Sequence, residues 1–133
     1  LHLLEHFYDE IFIPPAVQRE CKTGAAQIAL QHSFFNVVPV NNILLLNMGE
    51  GEKEVLSLAF ERDIKEILTD DLRPYNYALR NGLSPINSFE FIVAAKEAQF
   101  IDKVQPVLDA MREKGEGIHE ELYQEILRQA EEL

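Results

Sequence analysis

Gly49-Glu50-Gly51-Glu52-Lys53-Glu54-Val55-Leu56-Ser57-Leu58-Ala59, followed a short way on by Glu66-Ile67-Leu68-Thr69-Asp70-Asp71, is the stretch that decides the fold. The two glycines mark a turn into a helix that starts near Glu52 and runs to about Arg62. Glu52, Val55, Leu56 and Ala59 recur at i, i+3, i+4 and i+7, the spacing of one helical face, whereas Glu50 and Glu54 point elsewhere and are expected in solvent. The β-type run Glu66–Thr69 then ends in two acids. A helix feeding a strand with polar residues at its carboxyl end is the repeating half of a parallel α/β unit.

Working outward, Leu3, Leu4, Phe7 and Tyr8 have helical spacing and lead into a short strand, Ile11-Phe12-Ile13. Pro14-Pro15 opens the next helix, whose face holds Val17, Cys21, Ala25 and Ile28, with Gly24 a candidate break. Phe34 to Val40 reads as a strand near a sheet edge because of Pro39. Beyond Asp71, Pro74 permits a helix that stops at Asn81-Gly82, and Leu83 to Ile86 is extended. Asn87 and Glu90 have capping-box spacing for a helix Phe89–Ala98, and two more helices follow, one from Pro106 to about Lys114 and an amphipathic one displaying Ile118, Leu122, Ile126 and Leu133. Helices alternating with strands, without tight hairpin signals, predict a three-layer α/β/α sandwich with a mainly parallel central sheet and a single domain over 1–133.

Composition narrows the function classes. No run of eighteen apolar residues occurs, and Glu5, Asp9 and Glu10 near the start are unlike a signal peptide, so a cytoplasmic protein without membrane spans is expected. Cys21 is the only cysteine, which excludes an internal disulfide and a thiolate zinc site and suggests a small core residue. A net charge of −11 opposes indiscriminate attraction to phosphate, so any nucleic-acid contact must be local. The histidines form no metal-ligand pattern beyond the i, i+4 pair His2 and His6, read as surface residues. No phosphate loop or nucleophile elbow is present.

Acids at the carboxyl end of a parallel strand sit where ligands gather in this class of sheet. Asp70 and Asp71 repel one another there, a repulsion that a hard divalent cation relieves, since Mg²⁺ takes carboxylate and water oxygens. Helix capping is the competing explanation for these aspartates and for Glu52 in its first turn.

The same two stretches, with Ile11-Phe12-Ile13-Pro14-Pro15-Ala16-Val17 before them and Glu113-Lys114-Gly115 and Glu121-Leu122-Tyr123 after them, resemble the PIN-domain family and its predicted nucleic-acid-binding, VapC-like subgroup. The resemblance implies an acidic site around Mg²⁺ or Mn²⁺ that cleaves RNA. It places Glu52 and Asp71 as metal ligands, Asp70 as the adjacent or alternative acid, and Ser88 near a fourth polar position, a place Asn87 also fits. Family members open with a strand ending in Asp before the helix that resembles Leu1–Phe7, so the expectation is an N-terminally incomplete domain, or one whose gap a partner fills. After Asp71 the subgroup tends to carry several basic residues, where this chain has Leu72-Arg73-Pro74-Tyr75-Asn76.

Two readings follow. In one the chain is a metal-dependent ribonuclease, the toxin of a toxin–antitoxin pair, with RNA, an antitoxin protein and a second copy of itself as partners. In the other it is a catalytically inactive nucleic-acid-binding or protein-interaction module.

Overall fold

The computed structural model describes residues 2–115 and 117–133, without the side chains of His2 and Ala25. The surface position expected for His2 and the helix-face position expected for Ala25 therefore lie outside the described residues. The chain forms two compact units, Leu1–Ile86 and Asn87–Leu133.

The first unit holds α1 (His2–Phe7), β1 (Ile11–Ile13), α2 (Pro15–Glu20), α3 (Gly24–Leu30), β2 (Phe35–Val37), α4 (Glu50–Glu61), β3 (Glu66–Leu68), α5 (Leu72–Arg80) and β4 (Ser84–Ile86). The break between α2 and α3 falls at Cys21–Thr23, just ahead of Gly24, because Thr23 caps α3 by accepting from Ala26 N–H at 3.1 Å. Cys21 is half-buried there. The strand expected over 34–40 is shorter, ending at Val37 before Pro39. Gly82 adopts φ +80°, the left-handed conformation that ends α5 after Asn81.

The strands are parallel and pair two by two, β1 with β2 and β3 with β4, as two separate two-stranded sheets. Pro85 is tolerated in β4 because the ladder uses its neighbours, with Ser84 N–H donating to Lys65 C=O at 2.8 Å and Thr69 N–H to Ile86 C=O at 3.1 Å. Helices α4 and α5 and strand β3 share a core of Leu56, Ala59, Ile67 and Ala78, with Leu83 ahead of β4. Full burial of a leucine such as Leu56 contributes about 2 kcal/mol. This mixture of helices and short parallel strands is an α/β fold.

The second unit is helical: α6 (Ser88–Glu97), α7 (Gln105–Glu113) and α8 (Glu120–Gln129). Its core is Ile92, Val104, Leu108, Tyr123, Ile126, Leu127 and Ala130. The Asn87–Glu90 capping box forms in both directions, at 2.8 and 3.0 Å. Glu132 ties the end of the chain to α7, accepting from the backbone N–H of Val104 at 2.7 Å and of Gln105 at 3.1 Å, with the Lys96 ammonium at 3.1 Å. Among the described residues no helix is long and apolar enough to cross a membrane.

Candidate active site

Helix α4 begins at Gly49, and its first-turn N–H groups carry the positive end of the helix dipole, which favours carboxylates nearby. Glu52, in that first turn, is half-buried and its Oε2 accepts from Gly49 N–H at 3.2 Å. This is one half of a capping box, since glycine has no side chain to return the bond. The local, helix-stabilising explanation of Glu52 is thus visible in its geometry.

Glu54, expected in solvent, is buried instead, at 8% exposure. The reason is that α2 packs along α4. Ala16, in the first turn of α2, is itself buried and donates its N–H to Glu54 Oε1 at 3.1 Å. Pro14, at the N-cap of α2, has no side-chain group to do this, so a carboxylate from α4 supplies the missing acceptor. The Arg19 guanidinium lies 3.7 Å from Glu54 and 3.8 Å from Glu50.

At the other end of α2, Glu20 reaches the start of α4. A Cβ built on Gly51 would stand 2.7 and 2.8 Å from the two Glu20 carboxylate oxygens, so Glu20 rests on the bare backbone of that glycine. Neither Glu20 nor Glu54 was legible as a site or packing residue from periodicity. The available signals were Gly51, which leaves room for a neighbour, and the Gly51–Glu54–Leu58 spacing of a second buried face.

The β3–α5 turn carries the two aspartates, both exposed. Asp71 occupies the N-cap position of α5 but makes no side-chain cap bond; its own N–H donates to Thr69 Oγ1 at 3.3 Å. Capping therefore does not account for the Asp71 carboxylate. Arg73, two residues after Asp71, donates to the Asn47 carbonyl at 2.8 Å. That bond ties the start of α5 to the segment leading into Gly49. Tyr77 packs edge-on against Phe60 and against the core of this unit. Ser88 is the first residue of α6, in the second unit, immediately after the N-cap Asn87.

Carboxylate oxygens are suitable donors for Mg²⁺ or Mn²⁺. Their placement is another matter: among the described residues no group of three or more His, Cys, Asp or Glu side chains converges as a metal site. Glu52, Asp70 and Asp71 are not members of such a group. No curated protein and no solved structure matches the chain significantly. A family model, DUF3368, described as a PIN domain, matches residues 1–132, nearly the whole chain and both units, and the chain belongs to the PIN-domain family.

Proposed function

We propose that this protein is a PIN-type ribonuclease that hydrolyses RNA phosphodiester bonds, with Mg²⁺ or Mn²⁺ as its cofactor. The observation that carries the reading is the collection of carboxylates at the start of α4: Glu52 from its first turn and Glu20 from the end of α2. Asp70 and the uncapped Asp71 lie on a turn whose Arg73 is bonded to the segment entering that helix. Glu52, Asp70, Asp71 and Glu20 are the acids of the reading. Glu54 is a structural acid, committed to Ala16.

A chain of net charge −11 repels a phosphate backbone, so RNA meets these carboxylates only with cations between them. That is the physical reason for a divalent cofactor. In its finer form the reading makes the chain a cytoplasmic toxin, with an antitoxin protein and a second copy of itself as partners.

Cleavage of single-stranded RNA in Mn²⁺, in Mg²⁺ and in chelator tests the reading. Glu20→Gln and Asp71→Asn suit this assay because both side chains are exposed and their loss leaves the core intact. The expected result is metal-dependent cleavage that both variants lose. Cleavage that survives chelator, or both substitutions, would refute it. The second reading is a noncatalytic binding module. It predicts RNA binding or partner capture without cleavage.

A further inference from the structure

No Asp, Glu, Lys or Arg occurs between His32 and Glu50, in a chain whose net charge is −11. Within that neutral stretch, residues 43–46 run straight between bends at 41–42 and 47–48. Helix α4 holds this segment by its backbone. Glu61 Oε1 accepts from the N–H groups of Asn41 at 2.8 Å and Asn42 at 2.9 Å. Ser57 Oγ, which donates to Lys53 C=O at 2.7 Å, accepts from Leu44 N–H at 2.8 Å. Leu46 and Met48 pack against the core of the first unit, so one side of the segment is anchored along its length.

Alternation decides what the other side offers. In an extended segment the peptide groups of successive residues face opposite ways, so with Asn42 and Leu44 turned to α4 those of Ile43 and Leu45 turn outward. Among the described residues, neither Ile43 nor Leu45 has a hydrogen-bond partner for its N–H or its C=O. Their side chains are in solvent as well: Leu45 is 102% exposed and Ile43 50%. A straight, uncharged, apolar segment with open donors and acceptors is a surface on which another strand can pair.

We infer that residues 43–45 are a self-association site, at which the same segment of a second copy pairs antiparallel about a two-fold axis at Leu44. In that register Ile43 of each copy stands opposite Leu45 of the other, and each such pair exchanges both of its N–H···O=C bonds, using the peptide groups that α4 leaves open. The Ile43 and Leu45 side chains meet across the pair. Leu44, on the axis, takes the position without interchain bonds, as its bond to Ser57 requires. Charge selects the occupant. Two copies of net charge −11 repel wherever their acids face one another, and the neutral stretch is where they approach at least cost. A basic partner gains little here, because Glu61 is committed to Asn41 and Asn42. The interface locates the second copy named in the proposed function; association can be read without cleavage, so either can fail alone.

The test is sedimentation of the 133-residue chain at rising concentration, in low and in high salt, combined with amide hydrogen exchange. The expected result is a monomer–dimer equilibrium that tightens with salt, because ions screen the like charges. Exchange at the Ile43 and Leu45 amides should slow as dimer forms. Leu45→Ala takes an apolar side chain from both copies and should weaken dimerisation roughly 100-fold, and Leu45→Asp should leave a monomer. Both changes fall on a fully exposed side chain, so the melting temperature of the monomer should hold. A chain still monomeric at about 1 mM, association that weakens with salt, association that Leu45→Asp leaves intact, or dimer without protection of those two amides would overturn the inference. Protection in a monomer on adding phosphatidylcholine vesicles would overturn it too, since the occupant would then be a lipid surface.

Discussion

Glu52 and Glu54 lie two positions apart on α4, yet the structure predicts losses of very different size when each is replaced by alanine. Glu54→Ala removes a charge-assisted hydrogen bond and leaves the N–H of Ala16, a residue only 2% exposed, without its acceptor. A hydrogen bond to a charged group contributes about 1.5–3 kcal/mol, and an orphaned buried donor is at the costly end, so the expected loss is about 3 kcal/mol. Arg19 adds little to this because its side chain is 63% exposed and solvent screens the pair. Glu52→Ala loses one bond to Gly49 N–H and a favourable charge at the helix start, about 1 kcal/mol. Glu54→Gln retains an oxygen to accept from Ala16 and is expected to recover more than half of the loss. Urea unfolding followed by circular dichroism measures all three. With a slope of about 2 kcal/mol per molar, the Glu54→Ala midpoint should fall by roughly 1.5 M and the Glu52→Ala midpoint by roughly 0.5 M. Equal, small shifts for the two alanine variants would refute the assignment of Glu54 as the acceptor that holds α2 to α4.

Gly51→Ala separates stability from activity. The new Cβ meets only the tip of the exposed, flexible Glu20 side chain, and alanine gains up to about 1 kcal/mol of helix propensity, so the melting temperature should hold or rise. The Glu20 carboxylate must leave the start of α4, and RNA cleavage should fall; an unaltered cleavage rate would remove Glu20 from the site. In the second unit, Glu132→Ala deprives two backbone N–H groups and Lys96 of their partner, with an expected loss of about 3 kcal/mol, or roughly 10 °C in melting temperature. Burial raises the pKa of Glu132, but the Val104 and Gln105 amides and the Lys96 ammonium outweigh it and hold the group below its ordinary 4.5. A carboxyl whose folded pKa is depressed contributes stability above its unfolded value and loses it as pH falls through the folded one. Lowering pH from about 6 to about 3 should therefore destabilise the parent more than Glu132→Ala, and parallel melting curves would contradict the ion pair.

Element order was readable because each signal is local. Apolar periodicity located the α4 helix, Asn81-Gly82 located its neighbour's end, and Asn87 with Glu90 announced the capping box that forms. The motifs in that order identified the family. The placement of the acids was only partly readable. Periodicity assigns one inward face to a helix, and residues two apart point about 200° away from each other. Choosing the Val55–Leu56–Ala59 face therefore consigned Glu54 to solvent. Helix α4 is packed on two sides, by Ile67 and Ala78 on one and by α2 on the other. The second side exists only because Pro15–Glu20 folds back along it, bringing Ala16 to Glu54 and Glu20 to Gly51.

The sequence by itself determined which segments are helix and strand, the parallel character of the strands, and the aspartates at the end of β3. Those properties depend on side-chain spacing, backbone torsions and turn chemistry over a few residues. Tertiary structure alone decided which glutamate caps, which one holds a neighbouring helix, that Arg73 binds a carbonyl, and that Ser57 and Glu61 hold the segment at 41–44. The physical reason is that a carboxylate's partner and a loop's anchors depend on what packs against them, and that packing joins residues dozens of positions apart.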